Sequence, residues 1–228
     1  MSVAASVLSD TQRQTLEALC DTFVPSVETD TGDPVVRDFL ARAASDMQIP
    51  AAIEQTFADT LLPEEIAQFG GLLDAFAEHD FASLPVEART QVVHQFREDP
   101  EAKVGIHALK ALTLLLFYAL PDELGQNPNW EAIGYPGPVS APPSPEEAPK
   151  TIRVADVSGD EARLECDVCI VGSGAGGGVI AAGAAEAGKS VLVLEMGGYR
   201  NESDFKQLEL PGMQELYYGG GLASSEDG

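Results

Sequence analysis

Three glycines and one carboxylate carry the clearest chemistry in the sequence. Gly172, Gly174 and Gly177 stand in the spacing G-x-G-x-x-G, and Glu195 follows Gly177 by 18 residues. Each glycine serves a separate purpose. Gly172 permits a tight turn, Gly174 lets the backbone come close to a pyrophosphate, and Gly177 lets a helix pack closely on a strand. A carboxylate at the position of Glu195 accepts hydrogen bonds from both hydroxyls of a ribose and repels a 2'-phosphate. Together these residues describe a site for a dinucleotide.

The flanking residues supply the elements that must hold this group in place. Val168, Cys169, Ile170 and Val171 form a short apolar run, read as a buried strand that feeds the glycines. Ala181, Ala182, Gly183, Ala184 and Ala185 give the following helix a small-residue face, and a second apolar run, Val191 to Leu194, ends on Glu195. The order is strand, phosphate loop, helix, strand, acid. A helix that starts at the glycines points its free N–H groups and the positive end of its dipole at the phosphates. An ordinary glycine-rich turn in a parallel sheet would not need the acid. Beyond it, Gly197 and Gly198 allow close backbone approach beside the ribose, residues 203–218 read as an irregular helical crossover, and Gly219, Gly220 and Gly221 form a second glycine run.

Other reactive residues do not assemble a site in the sequence. Cys166 and Cys169 spell C-x-x-C, but an odd spacing of three along a strand sends their side chains to opposite faces, against a disulfide or a shared metal. Cys20 reads as a small core residue. His79, His94 and His107 are far apart and lack metal-ligand spacing, so no metal ligand and no catalytic residue is assigned.

The composition bounds the class. The chain has 228 residues, 44% of them hydrophobic, which suffices for one large or two ordinary domains with a core. A net charge of -24, from 13 Lys+Arg against 37 Asp+Glu, argues against nucleic acid and against docking on an anionic membrane. The first residues, MSVAASVLSDTQRQ, show no basic segment before an apolar one and no twin arginine, so a cytoplasmic location is expected. Three cysteines without a dense framework agree with a reducing compartment.

Residues 1–120 read as an all-helical bundle of about six helices. Ser9 to Gln12 fits a capping box, with Leu16, Leu19, Cys20 and Phe23 at helical spacing until Pro25. Asp33 and Pro34 open a second helix, and others start near Pro50, Pro63 and Pro85. The last, Ala102 to Leu120, is apolar over most of its surface, but Lys110 and His107 interrupt it, so it reads as a buried central helix rather than a membrane span. Residues 121–150 hold seven prolines from Pro128 onward and read as an extended linker, anchored at its start by Trp130, Ile133 and Tyr135. Residues 151–228 form the domain that begins the nucleotide fold. Its first part, TIRVADV and EARLE around Ser158, Gly159 and Asp160, reads as a short hairpin or an edge strand. The expected fold class is therefore α plus α/β: a helical bundle followed by the first βαβ part of a Rossmann-like fold.

Three segments also carry a family likeness. NPNWEAIGYPGP in the linker, DVCIVGSGAGGGVIAAGAAEAGKSVLVLEMGGY in the nucleotide unit, and LYYGGGLASSEDG resemble the glucose-methanol-choline (GMC) oxidoreductases, in their long-chain alcohol oxidase branch. The helical region is also similar to the small subunit of some gluconate dehydrogenases. This resemblance implies FAD; the residues alone admit FAD or NAD, because Glu195 serves either ribose. It implies that Gly172, Ser173, Gly174, Ala175, Gly176 and Gly177 contact the pyrophosphate and that Glu195 contacts the adenosine ribose.

It further implies an alcohol as substrate, oxidised by hydride transfer to the flavin with a histidine as base. That family's second glycine-rich motif with an asparagine, and its catalytic histidines, have no counterpart in these residues. The chain is thus expected to be the N-terminal part of a longer enzyme, with its FAD-binding domain incomplete. Two rival readings stand beside this one: a non-catalytic helical subunit that completes its fold on a partner subunit, and part of a nicotinamide-dependent dehydrogenase.

Overall fold

A computed structural model of the chain describes residues 6–147, 154–155, 157 and 161–218. It divides into two compact units, one running to Gly137 and taking in Leu208–Leu210, the other comprising Pro138–Gln207 and the residues from Pro211.

The helical unit follows the signals at its helix starts. α1 (Asp10–Phe23) opens on a reciprocal cap: Gln12 N donates to Ser9 Oγ at 3.2 Å and Ser9 N donates to Gln12 Oε1 at 2.9 Å. α2 (Pro34–Leu40) opens on Asp33, whose Oδ1 accepts from Val35 N at 2.9 Å. α3 (Ile49–Thr60), α4 (Pro63–Ala77), α5 (Val86–Phe96) and α6 (Pro100–Ala119) complete the six helices of this region. Proline occupies the first turn of α2, α3, α4 and α6, where its missing N–H has no helical acceptor to lose.

The core gathers one stripe from each long helix. Leu16, Leu19 and Cys20 of α1 meet Ile49 and Ile53 of α3, Leu73 and Phe76 of α4, Val93 of α5, and Ile106, Leu109, Leu116 and Phe117 of α6. Phe76 lies stacked on Phe96, with centroids 4.1 Å apart, and meets Phe81 edge-on at 5.0 Å. Burial of these side chains is the main favourable term for the unit.

α6 departs from the expectation of a fully buried helix. Its length and hydropathy match a membrane span, yet it packs on α1, α3, α4 and α5 through Ile106, Leu109, Thr113, Leu116 and Phe117, at helical spacing. Exposed Lys103, His107 and Lys110 flank that buried stripe along the border with α5. α6 is an amphipathic core helix whose small alanines made it look apolar all round.

The segment after α6 also differs from the extended connector expected from its prolines. Residues 121–137 belong to the helical unit, and a short helix α7 (Trp130–Ile133) forms within them. Three side chains here satisfy the last carbonyls of α6. Asn127 Nδ2 donates to Phe117 O at 3.1 Å and Leu120 O at 2.9 Å. Asn129 Nδ2 donates to Phe117 O at 2.7 Å, and Trp130 Nε1 donates to Tyr118 O at 2.7 Å. A helix end leaves its last carbonyls without intrahelical donors, and burying them unpaired would be costly. Asn127, Asn129 and Trp130 are all buried, which explains why anchor residues precede the proline-rich stretch.

The second unit contains β1 (Val168–Val171), α8 (Ala175–Glu186) and β2 (Val191–Leu194). The strands are parallel, with Val168 opposite Val191 and Val171 opposite Leu194, so α8 is the crossover of a βαβ unit. The fold is therefore a mostly helical N-terminal bundle followed in sequence by a parallel βαβ unit, as the sequence indicates. At one end of the ladder, Ser190 N and Oγ each donate to Asp167 Oδ2 at 2.8 Å, which holds the Asp167 carboxyl below the usual range.

The strands were expected to be buried. Among the described residues they are not: Val171 is 84% exposed, and Val179 and Ile180 of α8 are also open. Two strands and one helix have too few neighbours to cover both faces of a parallel sheet. Further along the chain, α9 (Glu209–Leu216) falls within the crossover expected over 203–218. The hairpin turn at Ser158–Asp160 and the run Gly219–Gly221 lie outside the described residues, and residues 161–165 form no strand.

Candidate nucleotide site

The glycine loop joins the end of β1 to the start of α8. Gly172 has φ +91°, a left-handed backbone that a side chain would strain, and its N–H donates to Leu194 O at 2.8 Å, extending the ladder past β1. Gly177 faces that turn from the first turn of α8. A Cβ there would collide with the Gly172 carbonyl oxygen and press on Ile170 Cγ2 at 3.3 Å, so close helix-to-strand packing requires glycine at this position.

The outer side of the loop is open. Gly174 caps α8 without any side-chain hydrogen bond, and a Cβ at Gly174 or Gly176 would meet nothing within 4 Å. The first helical bond in this turn is Gly178 N to Gly174 O, at 2.9 Å. The N–H groups of Ala175, Gly176 and Gly177 therefore remain available, at the positive end of the helix dipole. This arrangement suits a phosphate, which needs several converging donors and no side-chain bulk.

Glu195 lies at the carboxyl end of β2 and reaches back to the loop. Its Oε2 accepts from Ser173 N and from Ser173 Oγ, both at 2.7 Å, and its Oε1 accepts from Gly197 N at 2.8 Å. These donors, Gly197 N–H first and then the two from Ser173, hold its pKa down at about 2. The carboxylate is thus ionised throughout the physiological range. Three donors leave further acceptor capacity on its two oxygens, so it can still receive a ribose diol.

The seven residues singled out in the sequence, Gly172, Ser173, Gly174, Ala175, Gly176, Gly177 and Glu195, lie together at one end of the βαβ unit. One detail was not expected: the Ser173 N–H, assigned by resemblance to the pyrophosphate, is engaged by Glu195. Gly197 proves to be a donor to the same carboxylate. Glycine two residues after an acid that ends a strand was the signal for it.

The cysteines stand apart from this group. All three are free thiols; Cys169 is exposed on β1 and Cys20 is buried in the bundle. Burial raises the Cys20 pKa to about 12, with Thr113 Oγ1 at 3.6 Å from its sulfur.

The chain is thus of the class in which an N-terminal helical domain precedes a parallel βαβ unit. The family described as gluconate 2-dehydrogenase subunit 3 matches residues 10–137, and the chain belongs to that family. The match ends where the compact helical unit ends.

The chain is also similar to three long-chain-alcohol oxidases of Arabidopsis thaliana. Long-chain-alcohol oxidase FAO3 is 34% identical over 178 residues, covering 65% of this chain and 24% of that protein. FAO4B is 28% identical over 274 residues, covering 96% of this chain and 36% of that protein. FAO1 is 30% identical over 176 residues, covering 65% and 23%. The likeness to the alcohol oxidase branch read from the residues is thus present at 28–34% identity over the N-terminal part of these proteins. The chain spans between 23% and 36% of the length of these three relatives. No solved structure matches the chain.

Proposed function

We propose that the chain is the N-terminal part of an FAD-dependent oxidoreductase that acts on CH–OH groups, converting an alcohol to an aldehyde or ketone. The observation that carries this reading is the pairing of Ser173 with Glu195 across the ends of β1 and β2, beside the open first turn of α8. It supports reading Glu195 as a ribose acceptor and the open first turn of α8 as a set of phosphate donors, at the same end of one βαβ unit. Similarity to long-chain-alcohol oxidases supports the choice of an alcohol as substrate and of FAD over NAD.

FAD, when bound, supplies a two-electron acceptor for the hydride of the alcohol. The residues of this chain would hold it: the N–H groups of Ala175, Gly176 and Gly177 would serve the pyrophosphate, Gly174 and Gly176 would leave room for it, and Glu195 would receive the ribose hydroxyls. Ser173 and Gly197 orient Glu195 and keep it ionised. No residue of the chain is assigned to proton transfer from the alcohol.

The test is to express the complete reading frame, look for copurified flavin, and add a long-chain alcohol without oxygen. Bound flavin that bleaches on addition supports the proposal. A colourless, alcohol-inert protein overturns it, and NAD affinity without flavin assigns a nicotinamide enzyme instead.

The family match favours a second reading. A domain described as subunit 3 of a dehydrogenase fits a non-catalytic helical module that holds a partner subunit. Stable copurification of a separate catalytic chain would favour this reading.

A further inference from the structure

The helical unit contains a cleft whose charge opposes that of the molecule. It lies between α5 and α6, against the end of α1, and its lining includes Phe23, Val93, His94, Arg97, His107 and Lys110. Its volume is about 170 Å³. A neighbouring hollow shares His94 and Arg97 and adds Lys103, with Glu98 as its one carboxylate.

The partners of the basic residues make this cleft distinctive. Among the described residues of the helical unit, Arg13 pairs with Asp10 and Glu54, and Arg37 with Asp38. Arg42 donates to Asn129, and Arg89 donates to the carbonyls of Leu84 and Ala18. Arg97, Lys103 and Lys110 have no such side-chain partner among the described residues, and all three line these two hollows. Two of the three histidines of the sequence, His94 and His107, stand beside them.

Exposed lysines are ordinarily solvated, and alone they would define nothing. The guanidinium is different: Arg97 Nε is buried and has no hydrogen-bond partner among the described residues. A buried N–H of a charged group without an acceptor is costly, so such a group calls for one.

We infer that this cleft binds a small free oxyanion of the phosphate class. Arg97 and Lys110 provide charge-assisted hydrogen bonds, which are about twice as strong as neutral ones. His94 and His107 offer further donors around the cleft. Phe23, Val93 and Ile106 form an apolar wall that lowers the local dielectric and strengthens these contacts. The cleft is too small for a large polyanion such as a nucleic acid. The net negative charge of the chain is screened beyond about 8 Å at physiological salt, so the local cations govern the site.

The test is to titrate the full chain with inorganic phosphate at constant ionic strength, balanced with sodium chloride, and follow binding by calorimetry and by the thermal midpoint. Saturable binding that raises the midpoint is expected. Lys110→Gln, at an exposed position that leaves the fold intact, should weaken it at least tenfold, and Arg97→Gln should abolish it. Arg163→Gln, an exposed basic residue of the other unit, should leave it unchanged. Binding that does not saturate, or that is weakened equally by Lys110→Gln and Arg163→Gln, overturns the inference. Should Arg97→Gln fail to fold, the comparison of Lys110→Gln with Arg163→Gln decides alone.

Discussion

Ser173 and Glu195, 22 residues apart in sequence, are joined twice: the backbone N–H and the hydroxyl of Ser173 both donate to one carboxylate oxygen of Glu195. The contact fixes the glycine loop to the end of β2. It also sets the ionisation of the acid, since hydrogen bonds to the charged form stabilise that form.

Glu195 should remain a carboxylate under mildly acid conditions. Its folded-state pKa, about 2, lies below the ordinary glutamate value. Its contribution to stability is therefore present above the unfolded-state range, near pH ~4.3, and is lost as pH falls through the folded value. Glu195→Gln should remove that part of the acid dependence between these limits. Carbon-13 NMR of the side-chain carboxyl would check it, and a midpoint near ~4.3 would contradict the hydrogen-bond geometry.

Two glycine substitutions should separate packing from binding. Gly174→Val places its side chain in open space, so the βαβ unit should keep its fold while the bulk blocks the pyrophosphate and lowers flavin occupancy in the intact protein. Gly177→Val drives a side chain into the Gly172 carbonyl and should disturb the seating of α8 itself. Circular dichroism and flavin absorbance, read together, distinguish the two outcomes. Unchanged flavin occupancy in Gly174→Val would count against the loop assignment.

Asn129→Ala should destabilise the helical unit by about 1–3 kcal/mol, the usual cost of leaving buried polar groups unpaired. Asn129 is fully buried, donates to Phe117 O, and accepts from Arg42 Nη1 at 2.5 Å. Urea unfolding monitored by Trp130 fluorescence is the measurement. A loss below a few tenths of a kcal/mol would show that water replaces the amide.

Phe76→Ala should cost more, about 3–5 kcal/mol, because it empties the centre of an aromatic cluster. Phe76 has no exposed surface and touches both Phe96 and Phe81. The same unfolding experiment ranks it against Asn129→Ala.

The cysteines should differ sharply towards iodoacetamide in mildly alkaline buffer. Thiolate is the reactive form, and the pKa of Cys20, raised to about 12 chiefly by burial, keeps it protonated. Exposed Cys169 should label in the native protein, and Cys20 only once the bundle unfolds. Mass spectrometry of labelled peptides reads both rates.

Local signals made much of this legible in advance. Ser9 with Gln12, Asp33 with Pro34, and the glycines from Gly172 to Gly177 act within a few residues of themselves, so their pattern in the sequence states their geometry. Two features depended on distant partners. Asn127, Asn129 and Trp130 sit among prolines and look like linker, because the carbonyls they satisfy belong to α6. His94 and His107 look isolated because their common cleft forms only when α5 packs beside α6. A fuller signal was available: His94 and Arg97 are three apart, and Lys103, His107 and Lys110 recur at helical spacing.

The capping of α6 from outside its own sequence also bears on how such a module can be inherited. A gene fusion or recombination event that carried residues 10–120 alone would deliver six helices with the last one unfinished. Residues to Gly137 must travel with it, and at Gly137 even an added methyl would meet Trp130 Cζ3 at 2.7 Å. The heritable module is therefore longer than its helices, and its natural seam lies just beyond Gly137.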